Sequence, residues 1–387
     1  MNMRWEPLHP LPPPLPPAKV VFSGDRGDFF RLVARGAALE LVTVGFYRFW
    51  LATDIRRHIW SHTIIDGDAA EYTGRGKELL IGFLFALAIL VPIYLAYFLV
   101  TVEAESWKAF ASIPLVAGFY AFGQFAIYRA RRYRLTRTVW RGVRFWMDGS
   151  GWAYAWRAVL WGLLALATLG LAYPWREAAL ERYKMRHSYY GDLQGSFDGK
   201  GLDFFKQVWW LWLLAPFSLV LFPTLPFLYA EFRAREYAWW LSGLRVGPVS
   251  LASSLPHNAF YGLYWKVIGW MFLLGIALSG YIALAVGLIA KLSGKLHLSM
   301  AVKVNGSIVN LPAHSIALAV AVVIGYLAYV LAINVVMRVY LLRDLWQSVV
   351  SSIELRGIEA AANVRVRGEL AGALGEGFAD GLDVAGF

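Results

Sequence analysis

Cysteine is absent from the 387 residues, which excludes disulfides, thiolate-ligated metals and thiol catalysis. Charged residues are scarce as well: they make up 16% of the chain against 58% hydrophobic, where soluble domains average about 25% and about 45–50%. The chain is therefore expected to be mostly lipid-facing or lipid-buried. Also missing are a Walker sequence, a dinucleotide fingerprint with its strand and distant acid, an HExxH motif and any paired-carboxylate or triad signature. No catalytic residue, cofactor or metal site is read from the sequence, and an enzyme is disfavoured.

What is present is basic and aromatic. Lys and Arg number 37 against 26 Asp and Glu, a formal net charge of +11. The basic residues cluster beside apolar runs, as the positive-inside rule requires, so the excess marks membrane topology rather than nucleic acid. The 18 Trp and 20 Tyr suit aromatic belts at two interfaces.

In chain order, residues 1–19 form a proline-rich tail that favours an extended conformation. A first unit, 20–137, carries apolar segments near 29–50, 79–101 and 109–128, and ends in the run Arg129, Arg131, Arg132, Arg134 and Arg137. That run places its end in the cytoplasm. Within the unit, Asp66-Gly67 between apolar-polar alternations signals a hairpin. A second unit, 138–240, has segments near 152–175 and 204–230, and a third, degenerate one, 241–370, has segments near 259–290 and 315–337. A Gly-rich acidic tail fills 371–387.

The units are related. An offset of 125 residues carries Thr43 onto Thr168, Gly45 onto Gly170, Trp50 onto Trp175, Arg57 onto Arg182, His62 onto His187, Gly74 onto Gly199 and Gly76 onto Gly201 without a gap. Because the Thr-x-Gly segments are basic at both ends, the residues leave open an ordinary span or a re-entrant pair of half-depth helices.

Several residues invite chemistry, each beside a plainer reading. Glu40, Arg35 and Asn334 lie in or near apolar runs, where ionisable and polar groups mark pathways by default. For Glu40 the plainer reading is an ion pair with Arg35 or Arg48. Arg56, Arg57, Arg131 and Arg132 are candidates for anionic headgroups. Gly74 and Gly76, like Gly199 and Gly201, put Gly-x-Gly at a helix start, where backbone N–H groups suit a phosphate but where a tight turn is also sufficient. His62 and His187 occupy equivalent positions, and without acids at ligand spacing a cap outweighs a metal.

The segments TVGFYRFW (Thr43 to Trp50), SHTIIDG (Ser61 to Gly67), EYTGRGKELLIGF (Glu71 to Phe83), RYRLTRTVWRGVRF (Arg132 to Phe145) and GEGFADGLDV (Gly375 to Val384) resemble the YjgN-like family, domain of unknown function 898, over essentially Val20 to Phe387. The resemblance implies a multi-pass bacterial inner-membrane protein and carries no established activity. Members lie near metallopeptidase genes, which implies a membrane peptidase as partner.

The expected fold is thus a polytopic α-helical membrane protein of repeated apolar helices, basic exit helices and short cytoplasmic β-hairpins. The expected role is transporter-like or lipid-interacting and non-enzymatic, with the bilayer and anionic lipids as partners. A membrane scaffold, or a membrane-embedded enzyme, is the alternative.

Overall fold

The computed structural model describes residues 17–103, 108–220, 224–293, 299–304, 307–368, 370 and 372. Most of the proline-rich start, Asn305 and Gly306, and nearly all of the Gly-rich end lie outside them.

The organising element is a sheet. Strands β1 (Ala18–Phe22), β2 (Thr63–Ile65), β3 (Asp68–Tyr72), β4 (Thr138–Trp140), β5 (Val143–Met147), β6 (Ser188–Tyr190), β7 (Leu193–Phe197), β8 (Leu244–Val246) and β9 (Val249–Ser253) are joined by the last strand, Ile353–Arg356, into a closed antiparallel barrel. Two-residue turns link successive strands at one rim. Asp66-Gly67 and Arg141-Gly142 have positive φ at both positions, the backbone of type I′ turns that match strand twist. At the opposite rim every connection is a helical excursion. Register fixes this arrangement: Phe22 faces Thr63, Tyr72 faces Thr138, Met147 faces Ser188, Phe197 faces Leu244 and Ser253 faces Ile353.

Five helix pairs leave that rim. They are α1 (Arg26–Val42) with α2 (Arg48–Ser61), α3 (Gly76–Glu103) with α4 (Lys108–Thr136), α5 (Gly151–Ala167) with α6 (Tyr173–Arg186), and α7 (Gly201–Val220) with α8 (Leu225–Gly243). The fifth is α9 (Tyr261–Ser293) with α10 (Ala313–Met337), joined by a small hairpin of β10 (Ser299–Val304) and β11 (Ser307–Pro312). Helix α10 continues through a π-helical stretch, Arg338–Asp344, into α11 (Leu345–Val350); the final barrel strand is β12.

Helices α2, α4, α6, α8 and α11 lie inside, next to the barrel, with α1, α3, α5 and α7 outside them. Arg131 on α4 reaches Met185 on α6, Tyr173 on α6 donates to Glu236 on α8 at 2.7 Å, and Trp60 on α2 stacks on Trp346 of α11 at 5.5 Å, each pair bypassing an odd helix. At the turn rim a 3-10 helix, Ile358–Asn363, plugs the barrel. Ala361 packs with Trp140, Val143 and Tyr190, and Ile358 packs against that cluster and against a second one with Val20, Val249 and Leu355 of β1, β9 and the last strand. One short helix meets that many strands only on the barrel axis.

The Thr-x-Gly motif turns helix back on helix. Val44 and Gly45 both take left-handed φ, +51° and +87°, and Leu169 and Gly170 repeat this at +50° and +87°. Thr43 Oγ1 donates to the Leu39 carbonyl at 2.7 Å and accepts from the Tyr47 N–H at 2.9 Å, closing one helix and opening the next.

These findings correct the expected fold class. The chain is not a polytopic bundle with hairpins attached; the hairpins close into a barrel and the helices pack around and beyond it. Among the described residues three helical stretches are long and apolar enough to cross a membrane: Gly76–Leu99, Tyr261–Leu292 and Ser315–Val350. The segments expected near 29–50 and 152–175 fail as spans because left-handed residues break each one.

Candidate functional site

Helix α1 separates two cavities and contributes a different face to each. Asp25 caps its start, accepting from the Gly27 and Asp28 N–H groups, and those bonds hold its carboxyl below the ordinary value. One face presents Gly27, Phe30, Ala34, Ala37, Ala38 and Leu41 at helical spacing. The small side chains among them, Ala34, Ala37 and Ala38 beside Gly27, leave a groove of about 870 Å³ against α9 and α10, completed by Leu331, Val335 and Val339. Its polar atoms gather near the barrel, where Arg26 stacks over Tyr340 at 4.4 Å and pairs with Asp344 at 3.2 Å.

The other face of α1 presents Arg31 and Arg35 to a cleft of about 840 Å³ over α2 and β3. Tyr47, Asp54, Arg57 and Glu71 line it with them. Arg31 is paired with Asp28, and Arg57 donates to the Gly74 carbonyl at 2.8 Å with Asp54 3.7 Å away. His58 adds a buried Nε2 that has no hydrogen-bond partner among the described residues.

A third, smaller chamber of about 260 Å³ lies between the inner helices. Arg131 and Arg134 of α4 meet Glu177, Glu181 and Lys184 of α6 and Arg233 and Glu236 of α8 there. Burial works against the Glu181 carboxylate, yet Lys184 and Arg131 outweigh it and hold its pKa below the ordinary value. Sequence reading missed this set apart from Arg131 and Arg134. Its members sit on three helices remote in sequence, and the signal that could have found them is a recurrence of charge one to three turns before β4, β6 and β8.

The residues singled out from sequence fall in different places. Arg35 and Arg57 share the cleft, whereas Arg56 is 3% exposed and leans on the Tyr72 ring. Arg131 faces the inner chamber, and Arg132 is part-buried on the same helix. Glu40 pairs with Arg338 at 3.1 Å, rather than with Arg35 or Arg48, and Asn334 donates to the Val330 carbonyl of its own helix at 2.9 Å. Neither lines the groove, the cleft or the chamber.

The four glycines serve close approach. An added Cβ would meet the Tyr72 ring at Gly74 and the Phe197 ring at Gly199, at 2.6 and 2.4 Å. At Gly76 and Gly201 it would meet the backbone of Trp50 and Trp175, 2.8 Å away in both. His62 lies 4.3 Å from the His58 ring, while His187 Nδ1 pairs with Asp148 at 2.7 Å. Among the described residues no group of three His, Cys, Asp or Glu side chains is placed to hold a metal ion.

A family model described as a bacterial protein of unknown function, DUF898, matches residues 17–239 and again 196–376. No curated protein and no solved structure matches the chain. Two overlapping matches of one family model cover almost the whole described fold: the chain belongs to the DUF898 family of bacterial proteins.

Proposed function

We infer that this protein is anchored in the bacterial inner membrane by its three long apolar helices and that its role is to engage lipid rather than to catalyse a reaction. The groove between α1 and α9–α10 carries this reading. Two of its walls belong to helices apolar enough to cross a membrane, so the medium that fills it is lipid. Arg26 and Tyr340 stand at the barrel end, where an interfacial headgroup meets an acyl chain. The outer helices support the same setting: Phe217 on α7, Leu166 on α5 and Leu284 on α9 are each more than half exposed. In water each such side chain forgoes about 1.5–3 kcal/mol of burial, which lipid restores. A transporter-like role is less well supported, since Glu40 and Asn334 are engaged elsewhere.

The Arg129 to Arg137 run at the barrel end of α4 supports a barrel on the cytoplasmic side. Cytoplasmic reporters inserted at Asp66-Gly67 and Arg141-Gly142 should be active, and one in the β10–β11 hairpin inactive. For lipid engagement, native mass spectrometry of the full chain released from membranes should show retained phospholipid. Ala38→Trp, which fills the groove, should lower the amount retained; retention unchanged in that variant would refute the groove as a binding place.

A further inference from the structure

We propose that the cleft on the opposite face of α1 binds a zwitterionic phosphate ester of the phosphoethanolamine type, with Arg35 taking the phosphate and Glu71 the ammonium. Two observations point to such a ligand. First, most charges around the cleft are satisfied within the protein, Arg31 by Asp28 and Arg57 by Asp54 and the Gly74 carbonyl. Arg35 and Glu71 are the exceptions: among the described residues neither side chain has a hydrogen bond or an ion pair, and both line the same 840 Å³. A cation and a carboxylate left open in one cleft complement a ligand that carries both signs; a simple anion would leave Glu71 without a partner.

Second, the architecture does without them. The offset that superposes Thr43 on Thr168 puts Trp156 where Arg31 stands, Leu160 at Arg35 and Ser196 at Glu71. The second copy builds the same bent helix pair with no charge at these places, so the first copy's charges are additions to the fold rather than parts of it. Tyr47 also lines the cleft and adds a hydroxyl for an ester oxygen.

The phosphoethanolamine group has two sources, a lipid headgroup or a soluble ester, and the lipid source rests on the lipid-engaging reading above. The test uses the full chain in nanodiscs that hold phosphatidylethanolamine and phosphatidylglycerol in equal amounts, and separately in detergent with soluble phosphoethanolamine. Phosphatidylethanolamine should be retained over phosphatidylglycerol. Arg35→Gln should weaken retention about tenfold, the scale of one charge-assisted contact, with Arg35→Lys recovering part of it. Glu71→Gln should abolish the preference by weakening only the ammonium-bearing lipid. Both residues are exposed, and an unchanged melting temperature certifies each variant as folded.

Binding of the soluble ester alone would support the cleft and remove the lipid-engaging reading. Lipid held in the groove with no preference between the two headgroups, or a preference untouched by both substitutions, would overturn the cleft assignment and leave that reading standing.

Discussion

Glu40 on α1 and Arg338 at the start of the π-helical stretch after α10 form an ion pair of 3.1 Å across 298 residues of sequence, at the seam where the last helix pair meets the first. The pair is 14% and 25% exposed, so either partner left alone strands a poorly solvated charge. Glu40→Ala is expected to cost about 1–3 kcal/mol, and Arg338→Met to recover part of that loss in the double variant. Thermal unfolding of the two single variants and the double variant, followed by Trp fluorescence, checks this. Strict additivity would show that the two residues act independently.

The bends between helices rest on one hydroxyl each. Thr43→Val keeps the shape but loses both bonds of Oγ1, to the Leu39 carbonyl and from the Tyr47 N–H, and is expected to cost about 1–2 kcal/mol. Thr168→Val should do the same through Leu164 and Ala172, at 2.9 and 3.1 Å. The Tyr47 amide should exchange with deuterium faster in Thr43→Val, which separates loss of the cap from a general loosening.

Those bends and the Asp66-Gly67 turn were legible because each is local, its residues setting φ and capping bonds within a few positions. Barrel closure was not. The strands run only three to five residues, and β3 finds β4 across the whole of α3 and α4, a pairing that no periodicity encodes. Arg35 stood out as a charge in an apolar run, but Glu71, the residue that shares its cleft, read as an ordinary exposed strand position. Glu40 stood out for the same reason as Arg35, yet its partner Arg338 lies near the other end of the chain.

Glycine substitutions should separate close approach from backbone conformation. At Gly76 an added methyl meets the Trp50 backbone, which has no room to retreat, so Gly76→Ala is expected to cost about 3 kcal/mol or more and to lower the yield of folded protein sharply. At Gly67 nothing lies within 4 Å, and only φ of +86° opposes a side chain. Gly67→Ala should therefore cost about 1 kcal/mol. Added phosphate should leave the loss at Gly76 unchanged, since the glycine serves packing; rescue by phosphate would assign it an anion instead.

Acid should loosen the root of the first helix pair through His58. Burial holds its imidazole below the ordinary value of 6.5, helped by His62 and Arg343 and opposed by Asp28 and Asp25. The folded state thus binds the proton less readily than the unfolded chain. Its contribution to stability is complete above pH 6.5 and is lost progressively as the pH falls from 6.5 toward the lower folded-state value. The ring packs against Phe29 at 5.5 Å and His62 at 4.3 Å, so a charge there is desolvated and faces a second imidazole. Melting temperatures from pH 8 to pH 5 should fall for the native chain and fall less for His58→Gln. Parallel curves would place the acid sensitivity elsewhere.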